Sequence, residues 1–153
     1  MSIQKHTLFN HWLIVAMMFL ALIIYVVVCH VFSHDLQATL PEQRREFIRT
    51  IFYIIAIIAF PLTNLIRHIQ LRLNQTVPGN QSAKSRYLLT IIVSMTLVEA
   101  VGVLGFVMFM LGDDFNTLYI FVGLASLGLY LYRPKEEEYF QIVEALAEKR
   151  HDF

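Results

Sequence analysis

The sequence predicts an all-α fold of the integral-membrane class: a four-helix bundle of spanning segments arranged as two helical hairpins, followed by a cytoplasmic amphipathic C-terminal helix. Three observations carry that expectation. Hydrophobic residues make up 57% of the 153-residue chain and charged residues only 16%, with mean hydropathy +0.57, whereas about a quarter of a soluble domain is charged. The apolar residues are gathered into four runs, each long enough or nearly long enough to cross the ~30 Å hydrocarbon layer, with polar stretches between them. After Pro134 the pattern changes to apolar residues at helical spacing among many charges. Residues 1–153 read as a single membrane domain.

Span one is His11 to Ser33. Its β-branched residues do not argue for a strand, because an isolated strand cannot satisfy its backbone in lipid. Trp12 suits an interfacial anchor. A polar connection from His34 to Glu46, broken by Pro41, leads to span two, about Phe47 to Ile66, which is expected to run on as helix to about Leu73. Pro61 removes one intrahelical hydrogen bond there and predicts a kink, with Thr63 or Asn64 able to satisfy the freed group. The stretch Asn74 to Arg86, with its Pro78-Gly79 pair, divides the two hairpins. Span three is Tyr87 to Leu111, the acidic turn GDDFN follows, and span four is about Thr117 to Tyr132. That last span is short, so anchoring by Tyr119, Tyr130 and Tyr132 or local thinning of the bilayer is expected. From Pro134 to Arg150, Glu136 to Glu138 suit a first helical turn and Lys149-Arg150 a last one. Tyr139, Ile142, Val143 and Leu146 form an apolar face, expected to lie on the membrane or on a partner.

The charges are sorted by position. With both termini cytoplasmic, the inner segments hold Lys5, Arg67, Arg72, Lys84, Arg86, Arg133, Lys135, Lys149 and Arg150, and the outer ones only Arg44, Arg45 and Arg49. Nine against three favours that orientation, and puts Asp113-Asp114 outside as a solvated turn. Formal net charge is zero, so no basic field argues for nucleic acid. The single cysteine, Cys29, excludes an intrachain disulfide and any Cys-based zinc or iron-sulfur site. The first apolar run is too long for a signal-peptide core and is read as a retained span.

Glu99 is the centre of span three, twelve positions from either end, or about 18 Å of helical rise. A carboxylate at mid-bilayer costs at least ~2.5 kcal/mol, so it faces protein or a watery cavity, or stays protonated. Thr96 and Gly102 lie three residues to either side and share its face, and Gly105 extends a small-residue strip. Counting through the Asp113-Asp114 turn brings Gly128, Ser126 and Gly123 of span four level with it. Glu99, Thr96 and Ser126 are thus the candidate ion-binding or polar centre, and Gly102, Gly105, Gly123 and Gly128 the helix-packing residues. Two readings stand: a carboxyl that holds two helices in register, or one that carries a proton or cation.

The run EAVGVLGFVMFML, with Glu99-Ala100 and Gly105, resembles the ion-binding outer helix of rotary-ATPase proteolipid subunits, and the two-hairpin size is similar to the duplicated vacuolar-type proteolipid. The resemblance implies a carboxyl loaded and unloaded with a proton or sodium ion. It is confined to span three, and span one is bulky where those subunits carry a glycine-rich helix. Over its whole length the chain resembles small four-span bacterial membrane proteins of unassigned function, with an E-A-x-x-x-x-G-x-V third span and an aromatic-Arg/Pro-acidic exit. That implies a bacterial inner membrane and no mechanism.

His30 and His34 share a face near the outer end of span one and are the candidate metal ligands, without a clear third. His11 and His68 raise haem ligation if the inner ends of spans one and two meet. The methionines read as apolar filling. No phosphate loop, nucleophile elbow or zinc-protease motif is present, and no enzyme or cofactor is expected. The expected function is a small integral inner-membrane accessory or structural subunit, associating in the lipid bilayer with other membrane subunits or as a homo-oligomer. The alternative is a proton or cation translocation component using Glu99.

Overall fold

The structure, a computed structural model, describes residues 8–151; Lys5, counted above among the inner basic residues, lies outside them. All regular structure among the described residues is helical. The order is α1 (Phe9–Val31), α2 (Ser33–Leu36), α3 (Glu42–Thr76), α4 (Ala83–Met110), α5 (Phe115–Leu131) and α6 (Glu136–His151). Helices α1, α3 and α4 are each long and apolar enough to cross a membrane, and α5 with α6, bent by 43° at the break between them, meet that test as a pair. Their outward faces agree with this: Leu13, Met17, Leu20 and Ile24 of α1 and Ile54, Ile58, Leu62 and Leu65 of α3 are all exposed. Apolar surface on this scale is characteristic of a membrane protein.

At 35 residues α3 is longer than span two, about 52 Å by its rise per residue. It starts directly after Pro41 and runs unbroken through Pro61. Near that proline the Thr63 hydroxyl donates to the Ala59 carbonyl at 2.6 Å and the Tyr132 hydroxyl to the Phe60 carbonyl at 3.0 Å. Neither acceptor is the Ile57 carbonyl, the one that Pro61, lacking an N–H, leaves without its helical donor, so Thr63 does not play the part expected of it. Asn64, the other residue expected to help, is exposed.

Helix α4 is the element on which the others pack: α1, α3, α5 and α6 all contact it. Helix α1 also packs on α5, and α3 on α6, but α1 and α3 make little contact with each other. The first expected hairpin is therefore not closed by its own two arms. The second one is, through a tight turn. There Gly112 has φ +100°, and a Cβ on it would lie 2.5 Å from the Ala38 carbonyl oxygen, so both conformation and space demand glycine.

Small residues set the approach of helices to α4. A Cβ on Gly105 would stand 2.5 Å from Phe121 Cβ, one on Gly128 2.5 Å from Val98 Cγ1, and one on Gly102 2.5 Å from Leu22 Cδ2. Gly123 differs, with no atom within 4 Å of such a Cβ. It precedes Gly128 by five residues, about 140° around the helix, and so faces outward instead of toward α4.

The C-terminal helix α6 departs from expectation in what it covers. Ile142 is wholly buried, and Tyr139 and Leu146 pack against the same core, so its apolar face is turned onto α3 and α4 of its own chain. Val143, one residue on from Ile142, stays exposed together with Phe140.

Overpacking one of the tight glycines should be felt where overpacking the open one is not. Gly105→Val is expected to lower stability by about 1–3 kcal/mol, and Gly123→Ala to stay within about 0.5 kcal/mol of the parent. Denaturation followed by helical circular dichroism in detergent checks both.

Candidate functional site

Glu99 is 8% exposed, and neither of its carboxyl oxygens has a hydrogen-bond partner. Tyr25 of α1 lies alongside. The Tyr25 ring also packs on Phe106, 5.5 Å between centroids. Residues 99 and 106 are seven apart on α4 and share a face, so Glu99 is turned toward α1. Span four was the expected partner. Thr96, one turn before Glu99, falls on the exposed side of α4. Ser126 is half-buried and lines a nearly apolar groove of about 200 Å³ between α1 and α5, with Leu22 and Val26. No hydrogen bond joins either hydroxyl to Glu99. The polar neighbour of the carboxyl is a tyrosine that sequence reasoning passed over. One signal for it existed: Tyr25 is the phenol amid the aliphatic residues of span one.

A second polar assembly lies where α5 breaks into α6. Arg67 of α3, only 5% exposed, makes a two-pronged ion pair with Glu138, Nε and Nη2 each 3.1 Å from a carboxylate oxygen. The same guanidinium donates to the carbonyls of Tyr132 at 2.7 Å and Arg133 at 3.2 Å. A planar fork with several donors is what such a bend needs, since it exposes carbonyls that no helix satisfies. From the α4 side, the buried Tyr87 hydroxyl accepts from the Lys135 amide at 2.7 Å and donates to the Lys135 carbonyl at 3.2 Å. Lys149 donates to the Thr76 carbonyl, tying the far end of α6 to the end of α3. Next to this assembly, Arg86 donates to the carbonyls of Asn74, Val77, Gly79 and Gln81, gathering the α3–α4 loop around one cation.

At the other end of the bundle, Asp113 is a buried anchor, not the solvated turn residue expected. Its carboxylate lies 3.0 Å from Arg49 Nη1 and 3.8 Å from Arg45 Nε. Arg45 also donates to the Gly112 carbonyl, Gln37 to the Asp113 carbonyl, and the Ala38 amide to the Met110 carbonyl. The α4–α5 turn needs donors for its peptide oxygens, and the α1–α3 connection and the first turns of α3 supply them.

The histidines are dispersed. His30 has Nε2 2.6 Å from the Tyr119 hydroxyl and stacks on Phe115 at 4.4 Å, whereas His34 is exposed on α2. His11 is buried against the Tyr87 ring with no partner for either nitrogen, and His68 is exposed on α3. Among the described residues no three His, Cys, Asp or Glu side chains are placed to hold a metal ion.

Removing Arg67 tests whether the assembly at the α5–α6 bend holds α6. Arg67→Ala leaves Glu138 and two carbonyls without their donors and is expected to cost about 3 kcal/mol of stability. Arg67→Lys, a single-point donor, should recover only part of it. Thermal unfolding measures the loss, and faster tryptic cleavage at Lys149 and Arg150 reports the release of the helix. Comparison of the chain with protein-family models, with curated proteins and with solved structures finds no match.

Proposed function

We propose that this chain is a small polytopic inner-membrane accessory or structural subunit, with both termini cytoplasmic, that works by binding another membrane helix and not by catalysis. One observation carries the reading. Helix α4, otherwise deeply packed, leaves Ile92, Thr96, Ala100 and Val103 exposed, at spacings of three and four residues. These positions form one continuous strip, and its centre, Thr96 and Ala100, is small. Small residues four apart let a second helix come close, and in lipid that close contact stands in for the hydrophobic drive that water provides elsewhere. Helices α1 and α3, which contact α4 but scarcely each other, do not cover this strip. The occupant is a spanning helix of a larger membrane complex or of a second copy.

Native mass spectrometry of the protein, gently extracted from its own membrane, tests this. It is expected at fixed stoichiometry with larger subunits or with itself. The double change Thr96→Leu and Ala100→Leu should dissolve that assembly and leave the helical content intact, because leucine is at home on a lipid-facing surface. A chain that is monomeric at every detergent concentration overturns the proposal.

The buried, unpartnered Glu99 carboxyl favours a second reading, a component of proton or cation translocation in which Glu99 and Tyr25 hold the ion. Glu99→Gln separates the two. Gln can donate and accept but cannot take up and release a proton, so a carrier should lose ion flux in proteoliposomes by at least about 100-fold, whereas a structural contact should survive.

A further inference from the structure

Between α3 and the α5–α6 bend lies an open cleft of about 430 Å³, within the range of ligand sites. Its walls include Arg67 and His68 of α3, Tyr132 and Lys135 of the bend, and Glu138 of α6, and exposed Leu131 forms its apolar edge. We infer that this cleft binds the phosphate of an anionic phospholipid headgroup, with Lys135 and His68 as the groups that meet it.

The charge balance favours an anion. Arg67 and Glu138 pair with each other, 3.1 Å apart and half-occluded or better, and so cancel within the wall. Lys135 has no ion pair among the described residues and its side chain is exposed. That leaves one uncompensated cation, with the His68 imidazole as a further donor.

The wall is also built in advance. The Lys135 backbone is held on both its amide and its carbonyl by a wholly buried tyrosine, and the next turn is held by the Arg67 fork. A site whose frame is already ordered loses less on binding. The ammonium on that frame stays free to adjust.

Position selects a lipid over a free anion. The cleft lies at the end of the apolar α5, beside an exposed Leu131, where a headgroup and the start of its acyl chain would sit together. Basic pockets between helices at the cytoplasmic face are a known way of holding such headgroups. The inference rests on the membrane placement proposed above but not on the α4 strip.

The test uses the full chain in detergent, titrated with phosphatidylglycerol or phosphatidylcholine and read by native mass spectrometry. Retention of phosphatidylglycerol over phosphatidylcholine is expected, and Lys135→Ala should lower that preference about fivefold. Arg72→Ala, an exposed cation of α3 outside the cleft, should leave it unchanged; an equal loss in both variants would mean general charge attraction and overturn the inference. So would equal binding of the two lipids by the parent. Displacement of the lipid by millimolar inorganic phosphate would reassign the cleft to a free anion. A chain that retains neither lipid and fails to enter nanodiscs overturns the membrane placement itself, an outcome distinct from lost preference in an inserted protein.

Discussion

The fold depends on how closely the backbone of α4 is approached. At Gly105 and Gly128 the α4 and α5 backbones come near enough that a single methyl on either glycine would collide with Phe121 or Val98, and at Gly102 the same holds for Leu22 of α1. Contacts this close fix rotation as well as distance. With Gly105 against Phe121, the α5 residues Leu118, Phe121, Ala125 and Leu129 are all turned inward, and Tyr119, Gly123 and Tyr130 outward. In lipid, where apolar residues gain nothing by leaving the solvent, such van der Waals contact is what orients one helix on another.

Helix α3 is positioned differently. Its fully buried residues are only Ala56, Thr63 and Arg67, and much of its length presents isoleucine and leucine outward. Two arginine clamps locate it at opposite ends: Arg45 and Arg49 on the α4–α5 turn, and Arg67 on the α5–α6 bend. Both clamps grip places where the chain leaves a helix: Arg45 and Arg67 donate to peptide oxygens there, and Arg49 pairs with the Asp113 carboxylate. A long helix with little inward surface is thereby placed by its ends, and the α5–α6 bend becomes a rigid corner on which α6 can dock. The charge sorting along the sequence acquires a second meaning: two of the three arginines assigned to the outer side are committed to the Asp113 turn.

The order and approximate bounds of the five long helices were legible because hydrophobic run length and the Gly and Pro breaks act locally; the four-residue α2, inside the stretch read as a polar connection, was not. The glycines on α4 were legible too, since residue spacing alone places them on one strip. What pairs with what was not. Arg67 and Glu138 are 71 residues apart and Arg49 and Asp113 are 64 apart; no local pattern links them, and an arginine at a span end looks the same whether it snorkels to water or closes a bend. Glu99 was visible as an anomaly, but its direction was not. Small neighbours on both sides suggested α5, whereas the angular difference between residues 99 and 105, about 120° on a helix, points the carboxyl toward α1 while the glycine meets α5. The apolar face of α6 was equally visible, and what hid its target was the 43° bend that folds it back on α3 and α4.

The placement of Glu99 brings the two proposed readings together. Thr96 and Ala100 are both exposed beside a carboxyl that is nearly sealed, so Glu99 stands at the border between the α1–α4 contact and the open strip. An orphaned carboxyl in the middle of a packed seam would be hard to reach and expensive to keep. One at the edge of an unfilled surface is within reach of whatever fills it. A helix seated on the strip would supply a donor that this chain lacks there, so under the subunit reading Glu99 is the polar contact that registers the partner. Under the transport reading the same border is where a proton or cation would pass between Tyr25 and the open strip. The subunit reading requires the strip to be occupied and the transport reading does not, and for that reason the state of assembly comes before the chemistry of the carboxyl.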